Sequence, residues 1–153
     1  MDFPGTFEPD VLLDDGDTIT LGGTTLTAVA TPGHTPGAMS FFFDVKDGND
    51  AFRVGLHGGA GLNTLNRAFL DKYALPLTYR DDYISSMLRL NEERVDIFLG
   101  NHMQQNRTKQ KYAEMQNGNP LAFVSPGEWN AFNLKCIENL KNLIRKEENE
   151  GNT

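Results

Sequence analysis

Apolar and polar residues alternate through the first third of the chain and recur with helical spacing through much of the rest. Thr18 to Leu21 and Thr24 to Ala30 are β-branched runs on either side of Gly22-Gly23, the pattern of a hairpin closed by a two-residue turn. Val11-Leu12-Leu13 predicts a short strand before them. Met39 to Val45 and Ala51 to His57 predict a second hairpin across the polar turn 46–50. Helical spacing then takes over. It predicts helices over Leu62 to Tyr73, Tyr79 to Asn91 and Thr108 to Gln116, with a buried strand at Val95 to Leu99. Ser125-Pro126-Gly127-Glu128 reads as a capping box with proline in the first turn. The helix it opens runs to about Lys146, with Trp129, Phe132, Cys136, Leu140 and Leu143 on one face. The order predicts a mixed α/β (α+β) architecture, a mixed sheet covered by helices.

The length, 153 residues, suits one domain, expected over 1–146, with 147–153 as a disordered acidic tail. The net charge of −7 and the lack of a basic face argue against a nucleic-acid partner. No apolar run reaches membrane-spanning length, and residues 1–5 lack the basic and apolar regions of a signal peptide. The single cysteine, Cys136, cannot close an internal disulfide and reads as a small buried residue of the last helix.

The three histidines carry the candidate chemistry, because each stands where a predicted strand ends. His34 follows Thr24 to Ala30, His57 closes Ala51 to Leu56, and His102 follows Val95 to Leu99. Imidazole is the commonest catalytic-zinc ligand, and a catalytic zinc takes three protein ligands beside an open position. The segment Thr31-Pro32-Gly33-His34-Thr35-Pro36-Gly37 restricts the backbone around one imidazole. Gly58-Gly59-Ala60-Gly61 lets a ligand approach the backbone or simply turns the chain, and it has neither phosphate-loop nor dinucleotide spacing.

Asp15-Gly16-Asp17-Thr18-Ile19-Thr20-Leu21-Gly22-Gly23, followed by Thr31 to Gly37 and later by Leu99-Gly100-Asn101-His102, resembles the metallo-β-lactamase superfamily. The resemblance covers at least Val11 to Lys109. It implies the C-terminal half of an αββα sandwich and a zinc hydrolase that activates water against an amide, lactone, thioester or ester carbonyl of a small molecule. His34 would then hold the first zinc and His102 the second. His57 is a further candidate, as ligand, support or substrate contact. Asn101, Gly58, Gly59 and Asn63 would form the wall. No aspartate or cysteine stands near His57 or Gly58 where the family places a bridging ligand, so the likeness is nearest to the lactamase branch without a bridging cysteine.

The family's His-x-His-x-Asp-His motif is absent, and no histidine precedes His34. The expectation is therefore a chain that is inactive alone. A truncated piece of a longer enzyme, one part of a split protein, and a half-domain that has lost catalysis remain alternatives. A face left bare by the missing half should be apolar, with Phe41-Phe42-Phe43 contributing, and should drive homo-oligomerisation. The alternative function is a non-catalytic binding module that keeps the scaffold.

Overall fold

The computed structural model describes residues 8–151. Five strands form one sheet in the order β1-β2-β3-β4-β5: β1 Thr18–Leu21, β2 Thr24–Ala30, β3 Met39–Asp47, β4 Asp50–Leu56 and β5 Ile97–Leu99. The first four make an antiparallel meander. β5 pairs parallel to β4, with Val54 opposite Ile97 and Leu56 opposite Leu99. That parallel step requires a crossover, and the chain fills it with α1 Arg67–Lys72 and α2 Tyr79–Asn91. After β5 come α3 Thr108–Gln116 and α4 Glu128–Gly151.

Register determines which residues meet. Successive strand side chains point to opposite faces. Ser40 and Phe42 on β3, Val29 on β2 and Phe98 on β5 face the helices. They build a core with Leu90 of α2, Val95, and Trp129 of α4. Phe42 and Phe98 both meet the Trp129 ring edge-on, at 5.5 and 5.2 Å between centroids. Gly55 lies beneath this cluster, and a Cβ there would sit 2.9 Å from Val95 and 3.2 Å from Trp129. A second cluster joins Leu65, Tyr83 and Met87 to Cys136, Ile137 and Leu140, sealing α2 against α4. The aromatic run is therefore split: Phe42 enters the core, while Phe41 and Phe43 occupy the opposite sheet face.

Several sequence expectations are corrected. Val11-Leu12-Leu13 forms no strand, and Leu12 is 83% exposed. The first helix is shorter than predicted because Asn66 caps it, its Oδ1 accepting from the Phe69 amide at 2.8 Å. The capping box is also absent. Gly127 takes φ +89° and Glu128 turns outward, accepting from Arg107 (3.1 Å) and from the buried Lys111. The expected disordered tail is helical as far as Gly151, because Glu147 is held by Arg80 of α2 at 2.6 Å. Residues 152–153 lie outside the described residues. No helix among the described residues is long and apolar enough to cross a membrane.

Candidate metal centre

The loop between β2 and β3 is pinned before it presents any side chain. Gly33 has φ +131° and lies against α2 so closely that a Cβ would fall 2.4 Å from the Cα of Tyr83. The Ser86 hydroxyl donates to the Pro32 carbonyl at 2.7 Å, and the Thr64 hydroxyl donates to the His34 carbonyl at 2.6 Å. His34 is thus held at the carboxyl end of the sheet from both sides of the crossover.

Its ring lies over the backbone of the glycine loop that follows β4. A Cβ on Gly59 would stand 2.4 Å from His34 Cδ2, and one on Gly61 would stand 3.1 Å from Cε1. The glycines at 59 and 61 therefore form a cradle that any larger residue would fill. His34 Nδ1 lies 2.8 Å from the Gly61 carbonyl oxygen. A carbonyl only accepts, so Nδ1 is the donor, and in the neutral ring the lone pair is on Nε2. Metal-binding histidines are commonly oriented in this way, with the non-ligating nitrogen donating to a fixed acceptor.

His34 and His102, far apart in sequence, line one pocket of about 300 Å³. Gly59, Asn63 and Asn101 line it too, so five of the seven residues singled out from sequence come together. His102 sits on an exposed turn whose amide donates to Gln105 Oε1 at 3.3 Å. Gly58 stands off the pocket. Its amide donates to the Ser40 hydroxyl at 3.0 Å, and it is packed so close to Met39 that a Cβ would fall 2.3 Å from that carbonyl oxygen.

His57 is also elsewhere, and the ligand role considered for it does not match its position. It is 1% exposed and lies between Trp129, to which its ring is tilted at 5.5 Å, and Phe132, which it meets edge-on at 5.3 Å. Its Nδ1 accepts from the Gly59 amide at 3.1 Å, so the proton is on Nε2, beside Asn133. Burial drives its pKa down from 6.5 to about 4, leaving it neutral near pH 7. It supports the cradle from below.

The sequence reading missed the far wall. Gln105 and the α4 residues Phe132, Cys136 and Asn139 complete the pocket. The helical periodicity of Phe132 and Cys136 marked a buried face but not a face shared between core and cavity. Burial raises the Cys136 thiol pKa, as it does the Tyr83 hydroxyl beside it, so the sulfur in the wall is neutral.

Two imidazoles line the pocket as candidate donors for a metal. Among the described residues no group of three or more His, Cys, Asp or Glu side chains is arranged to hold one. The residues therefore fit part of a zinc site, short of the three protein ligands of a catalytic centre.

Solved structures share this fold. A subclass B3 metallo-β-lactamase of Bradyrhizobium japonicum superposes with a TM-score of 0.80 at 32% identity, over 92% of this chain and 52% of its own. The native metallo-β-lactamase FEZ-1 of Legionella gormanii gives a TM-score of 0.79 at 30% identity, over 89% and 51%. The chain has the metallo-β-lactamase fold. It spans about half the length of these metallo-β-lactamases. A probable metallo-hydrolase of Burkholderia pseudomallei is 56% identical over 32 residues, 21% of this chain and 11% of that protein. No family model matches the sequence. The structural neighbours are thus metallo-β-lactamases, and the short sequence match is to a probable metallo-hydrolase.

Proposed function

We propose that this chain supplies the His34 and His102 ligands of a zinc-dependent hydrolase acting on a small amide, lactone, thioester or ester, and that it does not turn over such substrates alone. The observation that carries the reading is the shared pocket. Both imidazoles line it, and the Nδ1–Gly61 hydrogen bond selects the tautomer of neutral His34 whose free nitrogen is Nε2. Zinc, when bound, would supply Lewis-acid polarisation of a carbonyl and activation of water near neutral pH.

The other contributions belong to this chain's own residues. The cradle at Gly59 and Gly61 fixes the His34 ring, and Gly61 fixes its tautomer. Asn63 and Asn101 at the pocket wall carry amide N–H groups able to hold a carbonyl oxygen as negative charge grows on it. Phe132 excludes water from one side. The roughly 300 Å³ of space suits a small molecule.

Cobalt or zinc titration of the full chain, beside His34→Ala and His102→Ala, tests the assignment. Each substitution should weaken binding about tenfold or more, the usual scale for losing a metal-site group. Undiminished affinity in either variant would remove that residue from the set. Nitrocefin and thioester assays should show no turnover by the chain alone. A second reading is a binding module that keeps the scaffold, favoured by the two-imidazole donor set. Absence of any metal binding would select it.

A further inference from the structure

The loop that cradles His34 is held from the core side by three buried side chains. The Gly58 amide donates to Ser40 Oγ at 3.0 Å, and the Gly59 amide donates to His57 Nδ1 at 3.1 Å. The Tyr83 hydroxyl donates to the Ala60 carbonyl at 2.8 Å. Ser40 is completed in turn by Thr31, with 3.0 Å between the hydroxyls. His57 is completed by nothing. A neutral imidazole that accepts at Nδ1 carries its proton on Nε2, and among the described residues that buried nitrogen has no hydrogen-bond partner.

The polar side chain beside it is Asn133 of α4. Asn133 is 0% exposed, and neither its Oδ1 nor its Nδ2 has a partner among the described residues. It stands one helical turn after Trp129 and next to Phe132, the two rings between which His57 lies. Buried polar groups are nearly always hydrogen-bonded, and asparagine is a poorer helix former than leucine. A packing role alone therefore does not account for an amide at this place. The ring N–H needs an acceptor and the amide oxygen needs a donor. The terminal torsion of asparagine is broad, so the amide can turn Oδ1 toward Nε2 at little cost.

We propose that Asn133 is a positioning residue of the candidate metal centre: its Oδ1 accepts from His57 Nε2–H and so fixes the tautomer whose bare Nδ1 holds the Gly59 amide under the His34 ring. This rests on the reading of His34 as a metal ligand. With the His57 proton on Nδ1 instead, two N–H groups would face each other and the Gly59 amide would lose its acceptor. Gly59 has no slack to absorb the change, since even a Cβ there would fall 2.4 Å from His34 Cδ2. Phe132, Cys136 and Asn139 of α4 line the histidine pocket and Asn133 does not, so Asn133 reaches His34 only through His57 and the glycine loop.

Nitrogen-15 imidazole spectra of the metal-free full chain test the pairing. In the wild type, the His57 Nε2–H proton should resonate downfield, exchange slowly with solvent and show an Overhauser contact to the Asn133 side chain. Asn133→Leu keeps the branching and removes the acceptor. It should give a mixture of the two His57 tautomers, and cobalt affinity should fall by about tenfold, the low end for losing an outer partner of a metal-bound histidine. Asn133→Asp returns an oxygen to the same place and should keep the Nε2–H signal. Loss of packing alone would lower the stability of both variants without changing the tautomer. A wild-type Nε2–H that contacts water instead of Asn133, or exchanges rapidly, would overturn the proposal even if Asn133→Leu does not fold. So would a folded Asn133→Leu in which His57 stays wholly in the Nε2–H form, or loss of that form in Asn133→Asp. The tautomer readouts need no metal. Failure of the wild-type chain to bind cobalt would instead count against His34 as a ligand, and the two failures are told apart.

Discussion

Arg80 of α2 and Glu147 of α4 meet at 2.6 Å, while the same guanidinium donates through Nε to the Leu65 carbonyl at 2.9 Å. Three segments are thus joined by one side chain that is 10% exposed. Glu147→Ala leaves the buried cation without its carboxylate. It should cost about 1–3 kcal/mol in urea unfolding, the penalty for stranding a buried polar partner. It should also fray the last turns of α4, a loss visible as faster amide exchange beyond residue 143.

His57 gives the fold a pH dependence. Its pKa is about 4 in the folded chain and 6.5 as an unperturbed imidazole. Between those values the unfolded chain takes up the proton and the folded chain does not. Stability is therefore fully present above about pH 6.5 and falls as pH drops toward 4, by roughly 3 kcal/mol in all. Stability measured across that window should lose most of its slope in His57→Leu. An unchanged slope would place the titration elsewhere.

The cradle predicts an order of effects. Gly59→Ala puts a methyl 2.4 Å from His34 Cδ2, and Gly61→Ala puts one 3.1 Å from Cε1. The first should cost about 1–3 kcal/mol as overpacking, and the second less. In nitrogen-15 imidazole spectra, Gly59→Ala should abolish the protonated Nδ1 signature of His34. Retention of that signature would show that the ring does not need the gap.

At the other end of α4, Glu128 accepts from Arg107 and from Lys111, whose side chain is 3% exposed. Glu128→Gln leaves the Lys111 ammonium buried and should cost about 3–5 kcal/mol. Lys111→Met keeps the Arg107 partner and fills the same space, so it should cost much less. Equal losses in thermal unfolding would contradict this.

The strands were legible from sequence because β2, β3 and β4 alternate or run apolar between glycine turns, and register followed from those turns. α2 and α3 match their predicted spans to the residue. The capping box misled because its glutamate is worth more as the partner of buried Lys111 than as a cap. The tail misled because local charge says nothing of a long-range partner such as Arg80. That His34 and His102 would line one pocket was legible because strand-end loops converge at one end of the sheet. His57 was not distinguishable by position, since parity alone turns it under the cradle and into the aromatic core. Gly58 was lost to its close packing against the Met39 carbonyl.

The sheet order has a kinetic consequence. Four strands form a meander of neighbouring hairpins, which close short loops and assemble quickly. β5 can pair only after the crossover from Leu56 to Ile97 has folded. His34 therefore comes to the sheet end with the early hairpins and is fixed only when the crossover brings Thr64 and Ser86 to its loop, whereas His102 arrives with the last strand. A two-histidine pocket exists only in chains that have finished folding, so a partly folded chain offers a metal ion no preformed grip.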